Sequence, residues 1–150
     1  MTLFLDGDAF PNLLKSALTR AIERLSLKTI VVSNKDIHLG NSRHITYITV
    51  SEGPDEADHR IVELVTEKDL VITADIPLAD RVISKGAHVI DHRGDLFNSD
   101  NIKNRLALRD LMQDIRESGE FGKGPAPFGP KDAHRFINQL DQFLTKHINP

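Results

Sequence analysis

Residues 70–94, LVITADIPLADRVISKGAHVIDHRG, decide the fold. Two apolar runs short enough to be buried strands, LVIT at 70–73 and AHVI at 87–90, flank a segment with helical spacing from about Leu78 to Ser84. Gly86 stands where a left-handed residue would end that helix. A strand, a helix and a second strand in that order form the unit of a parallel sheet. In such a sheet the loops at the carboxyl ends of the strands share one rim, the usual place for a ligand. The stretch sets Asp75 and Asp91 on that rim, with Asp80 five residues beyond Asp75.

The alternation extends toward the N-terminus. ITYITV at 45–50 reads as a strand, followed by a helix that starts near Pro54 and turns Ala57, Ile61, Leu64 and Val65 inward. Earlier still, TLFL at 2–5 is a strand ended by Asp6. Leu14, Ala17, Leu18, Ala21, Ile22 and Leu25 define one face of a helix over 12–25, and KTIVV at 28–32 is another strand. Beyond Gly94 the pattern becomes helical only. Leu108, Leu111, Met112 and Ile115 share a stripe over 102–118; Phe136, Ile137, Leu140, Phe143 and Leu144 share another over 131–147. Between these helices lies EFGKGPAPFGP at 120–130, which Phe121 and Phe128 are expected to anchor. The reading is one α/β domain over 1–150: a mostly parallel central sheet flanked by helices, with two C-terminal helices covering the sheet or its edge.

Composition narrows the function. A chain of 150 residues can bury about two thirds of the surface it exposes unfolded, enough for a core without staples. No apolar run approaches the roughly 20 residues that cross a bilayer, and MTLFLDGD lacks the pattern of a secretory signal, so no membrane partner and a cytoplasmic location are expected. The absence of Cys excludes disulfides, thiolate metal sites and a cysteine nucleophile. Seven His residues show no HExxH spacing, and no GxxxxGK[ST] or GxGxxG loop is present. The net charge of -3 is uneven: residues 1–100 hold 11 basic against 16 acidic side chains, and residues 101–150 hold 8 against 6. That basic excess suits contact with phosphate but does not demand it.

The acids are the informative residues. Asp6 and Asp8 follow the first strand, and Asp55, Glu56 and Asp58 fall in the opening of the helix after ITYITV, with Asp55 and Asp58 on one face. Carboxylates brought close together repel and raise one another's pKa unless a hard cation such as Mg²⁺ or Mn²⁺ neutralises them. Taken singly, each acid also suits a local role, because Asp bonds to nearby backbone at turns and helix starts. Their joint placement points to the ion. Arg93, and Lys103 and Arg105 at the start of the next helix, are candidates for substrate phosphate.

DGDAFP at 6–11, GPDEADHRIVE at 53–63, VITADIPLADRVISKGAHVIDHRG at 71–94 and GPAPFGPKDAHRFINQLDQFL at 124–144 together resemble the YaiI/YqxD family of bacterial proteins. That family is similar to PIN-like domains, whose better understood members cleave RNA or process nucleic acid around Mg²⁺ or Mn²⁺. The resemblance implies a PIN-like fold and a metal-dependent nuclease or phosphodiesterase, with RNA or other nucleic acid as partner. It makes Asp6, Asp8, Asp58 and Asp75 the catalytic acids, and Asp6, Asp8, Asp55, Asp58 and Asp75 the metal ligands, with Asp80 and Asp91 in an outer shell. The familiar opening of the family is closer to DADACP. Gly7 in place of Ala is expected to loosen the turn that aims Asp8, and Phe10 in place of Cys removes any thiol role there.

Two other readings stand beside this one. A binding or regulatory module on the same fold would perform no hydrolysis. A phosphatase of the haloacid dehalogenase type would use DGD as its opening, Ser33 as its strand-end hydroxyl and Asp75 with Asp80 as its late acids; it lacks the Thr after the first motif, has only Lys35 as a loose basic candidate, and leaves little room for a cap.

Overall fold

The computed structural model describes residues 1–53, 55–117 and 127–148. A six-stranded sheet forms the middle layer, in the order β3-β2-β1-β4-β5-β6. The strands are β1 (Leu3–Asp6), β2 (Thr29–Ser33), β3 (Ile45–Thr49), β4 (Leu70–Ile72), β5 (His88–Ile90) and β6 (Leu96–Phe97). The first five run parallel; β6 is antiparallel to β5, pairing Val89 with Phe97 and Ile90 with Leu96. Among the described residues five α-helices flank the sheet: α1 (Asn12–Leu25), α2 (Glu56–Leu64), α3 (Ile76–Ser84), α4 (Ile102–Glu117) and α5 (Pro130–Ile148).

The alternation of strand side chains divides the core in two. Leu3, Leu5, Leu70, Ile72 and Ile90 face α1 and α5, where they meet Leu14, Leu18, Ile22, Phe136, Leu140 and Leu144. Phe4, Val32, Val71 and Val89 face the other way, onto Ala57 and Ile61 of α2, Leu78 and Val82 of α3, and Ile102 at the head of α4. Each of these strands is therefore apolar on both sides, which is why it reads as a continuous run.

Several expectations need adjustment. The start of α2 is Glu56; Pro54, proposed for its first turn, lies outside the described residues, as does Phe121. Phe128 is partly buried against the α1/α5 cluster, as an anchor should be. Gly86 does adopt φ +88 after α3, its N–H donating to the Ile83 carbonyl at 2.9 Å. The two-residue β6 interrupts the stretch beyond Gly94 that reads as helical only; it is too short to carry a period. The stripe on α4 is covered only in part: Leu108 and Leu111 are 54% and 55% exposed, Met112 and Ile115 are half-buried, and Ile102 at the head of the helix is buried. α5 behaves as expected, burying Phe136, Leu140, Phe143 and Leu144. Among the described residues no helix is long and apolar enough to cross a membrane.

The strand order matters most for function. Successive connections carry the chain outward from β1 through β2 to β3, then back across to β4 on the other side of β1. The two strands flanking the reversal are β1 and β4, and the crevice outside their carboxyl ends is where open parallel sheets bind ligands. Asp6 ends β1 and Asp75 stands three residues past β4.

Candidate functional site

Asp6 is buried although it terminates a strand. Its Oδ1 accepts the Asp8 N–H at 3.3 Å, capping a single 3-10 turn at Gly7–Ala9. Burial pushes the Asp6 carboxyl up to about 6; the Asp8 amide opposes the rise, and the charges of Asp8 and Asp75 add to it. Asp8 is turned toward the end of β2, where both of its oxygens accept the Asn34 N–H, at 3.0 and 3.1 Å. Gly7 does not loosen this turn. A Cβ there would stand 3.0 Å from Val31 Cγ1 and 3.1 Å from Ser33 Cβ, so the missing side chain lets the turn pack tightly on β2.

Asp75 is the N-cap of α3. Its Oδ1 accepts the Leu78 N–H at 3.0 Å, while its own N–H donates to Thr73 Oγ1 at 3.1 Å. Both bonds fix the carboxylate toward the reversal between β1 and β4. Asp58, in the first turn of α2, reaches the same place from the other side and hydrogen-bonds Asp75. Its carboxyl is pushed up to about 7, first by burial, then by the charges of Asp75, Asp6 and Asp55, and by that bond. Asp55 precedes α2 in a left-handed conformation, φ 65, and its exposed side chain makes no cap bond. Thus Asp6, Asp58 and Asp75 converge, with Asp8 and Asp55 at the margins.

The donors are all hard oxygens, the chemistry that Mg²⁺ and Mn²⁺ favour. Among the described residues, however, no group of three or more His, Asp or Glu is arranged closely enough to hold a metal ion as it stands. Asp58 favours its protonated form in this arrangement, and ion binding would require that proton to leave and the carboxylates to turn.

The outer residues have other work. Asp91 Oδ1 accepts the N–H groups of Arg93 at 2.9 Å and Asp95 at 2.8 Å, shaping the turn between β5 and β6. Its carboxyl is raised by burial first and then by Asp95, rather than by the acids at the reversal. Asp80 bonds Lys103 Nζ at 2.6 Å, tying α3 to α4. Arg93 pairs with Asp132 at 2.8 Å and lies 5.6 Å from the Phe128 ring centre. Arg105 faces Asp95 at 3.7 Å and lies over Phe97 at 5.5 Å. Ser33 Oγ donates to the Lys35 carbonyl at 2.6 Å, closing the loop after β2.

Three participants are not singled out by the sequence. Asn34 supplies the amide that holds Asp8, Thr73 supplies the hydroxyl behind Asp75, and Arg135 binds both Asp95 at 2.8 Å and the Arg93 carbonyl at 2.9 Å. Only Thr73 carries a usable signal, since Thr two residues before an Asp at a strand end suits a side-chain turn. His92 is also notable: it is buried, edge-on to Phe10 at 5.5 Å, held neutral by burial and Arg93 with its pKa down to about 4, and its Nε2 has no hydrogen-bond partner among the described residues.

Fold and cluster together define an α/β domain with an acidic centre at the reversal of its parallel sheet. Sequence comparison places it more narrowly. The chain belongs to the YaiI/YqxD family, whose profile, described as "Uncharacterized BCR, YaiI/YqxD family", matches residues 4–146. Its relatives include a "UPF0178 protein" of Sulfurimonas denitrificans, 65% identical over 99% of this chain and 98% of that protein. Another from Sulfurovum sp. is 64% identical over 98% and 99%, and one from Trichlorobacter lovleyi is 48% identical over 97% and 95%. No solved structure matches the chain significantly.

Proposed function

We propose that this protein is a divalent-metal-dependent phosphodiesterase acting on nucleic acid. The observation that carries the reading is the convergence of Asp6, Asp58 and Asp75, two of them raised to about 6 and 7, with no basic side chain paired to any of the three among the described residues. A cluster so short of positive charge at a ligand crevice favours a small hard cation. Asp6 and Asp75 are the preferred direct ligands, Asp58 joins them after losing its proton, and Asp8 and Asp55 complete the shell directly or through water. The ion would supply charge neutralisation and a water of lowered pKa for attack on a phosphodiester.

The protein's own contribution is placement. The Leu78 and Asp8 amides orient two carboxylates, and Asp58 provides the proton that the ion must displace. The test is titration calorimetry with Mn²⁺ and Mg²⁺ alongside cleavage assays on diverse RNA and DNA. Ion affinity should rise with pH through the range about 6 to 7. An ion-independent protein that cuts nothing, with Asp75→Asn indistinguishable from wild type, would sink the reading. A non-catalytic binding module is the second reading. It is favoured by the ion pairing of Arg93 and Lys103 to acids of their own chain at 2.8 and 2.6 Å. It predicts partner binding that survives chelation.

A further inference from the structure

We infer that the groove between the start of α3 and the outer face of α4 binds the phosphate backbone of a single nucleic-acid strand beside the acid cluster. This rests on the phosphodiesterase reading for the identity of its ligand, but on different residues.

Ile76, Arg105, Leu108, Arg109 and Met112 line the groove, whose volume is ≈ 260 Å³. The four α4 residues follow i, i+3, i+4, i+7 spacing and so present one face. Ile76 follows Asp75 directly, so the groove begins one residue from the cluster. A strand seated there accounts for an otherwise costly feature, an apolar stripe on α4 left more than half exposed at Leu108. The volume lies below the roughly 300–1,000 Å³ of pockets that enclose a whole small ligand. It suits a short part of a longer chain passing through.

Charge chooses the chain. Two guanidiniums flank Leu108, and each is only loosely held, Arg105 by Asp95 and Arg109 by Asp110, both at 3.7 Å with the arginines about half exposed. Exposed pairs of this kind contribute little, so a phosphate displaces the carboxylate at small cost. Arg93 and Lys103 differ, since their pairs are at 2.8 and 2.6 Å. Leu108, Met112 and Ile76 then offer apolar surface to sugar and base edges, a contact that carries no sequence preference.

The test is fluorescence anisotropy of a labelled single-stranded oligoribonucleotide with the full chain, in chelator so that nothing is cut, across a salt series. Arg109→Glu should weaken binding roughly tenfold at low salt and reduce the salt slope by about one, and Arg105→Gln with Arg109→Glu should weaken it further. Arg109→Glu alone suffices if the double variant fails to fold, because Arg105 also rests on Phe97. Unchanged affinity and slope in Arg109→Glu, or no strand binding by wild type, overturns the inference. So does sedimentation showing that Leu108→Glu dissolves a dimer while strand binding persists. If the arginine variants lose the strand but no divalent ion supports cleavage, the groove stands and the phosphodiesterase falls. If those variants cleave and bind as wild type does, the phosphodiesterase stands and the groove falls.

Discussion

Two groups of aspartates lie on the same rim, and they are treated in opposite ways. Around the β5–β6 turn, Asp95 is held by Arg135 at 2.8 Å and faced by Arg105 at 3.7 Å, while Asp132 pairs with Arg93 at 2.8 Å. The Gly129 amide and then Arg93 hold the Asp132 carboxyl below the usual range. At the β1/β4 reversal, Asp6 and Asp58 are pushed up to about 6 and 7, and the charges that act on them are those of other acids. The first group is neutralised by its own chain and shapes a turn. The second is left short of positive charge, a state that costs stability and is expected where function requires it. Proximity to the rim therefore does not separate the two groups; unmet charge does.

The contrast can be broken by experiment. The largest effect is expected from Asp75→Asn, which should lower Mn²⁺ affinity about 100-fold or more, since even residues that merely support a metal ligand cost 10–100-fold. Calorimetry showing a change under threefold would move Asp75 into the structural group. Next comes pH. The folded chain keeps a proton on Asp6 that the unfolded chain releases near 3.8, so this stabilisation is complete below about pH 4 and is lost as pH rises through about 6. Urea unfolding between about pH 4.5 and 8 should reveal roughly 2 kcal/mol of this loss from Asp6, absent in Asp6→Asn. A flat difference between the two proteins would contradict a buried Asp6 that holds its proton. Arg135→Ala should cost about 1 kcal/mol of stability through Asp95 and the Arg93 carbonyl, with ion affinity unchanged. The smallest effect is assigned to Asp8→Asn, which retains an oxygen for the Asn34 amide. A loss of ion affinity matching that of Asp75→Asn would promote Asp8 from margin to centre.

Most of the fold is legible in the sequence because parallel strands covered on both faces read as unbroken apolar runs: LFLD, TIVVS and LVI stand within a residue of the expected spans. The helix over Asn12–Leu25 matches at both ends because its apolar face is complete. β6 is illegible because two residues hold no period. The α4 stripe misleads for a deeper reason: periodicity shows that a face is apolar, not that anything covers it, and Leu108 and Leu111 remain open. For the site, strand ends locate Asp6 and Asp75, and helix spacing locates Asp58. What spacing does not show is that Asp91 commits its carboxylate to two backbone amides, or that Lys103 is bound to Asp80.

The position of β1 between β2 and β4 has a consequence for how the molecule is made. Its two hydrogen-bonded edges are satisfied by strands far apart in the chain, Leu5 pairing with Val31 on one side and Ile72 on the other. During synthesis, at about 5–20 residues per second, β1 can dock on β2 early but must wait for β4 to emerge. Throughout that interval Leu3, Phe4 and Leu5 form an open edge, a template for pairing with another nascent chain. The acidic centre cannot exist in that interval either, since Asp75 follows β4 in the chain.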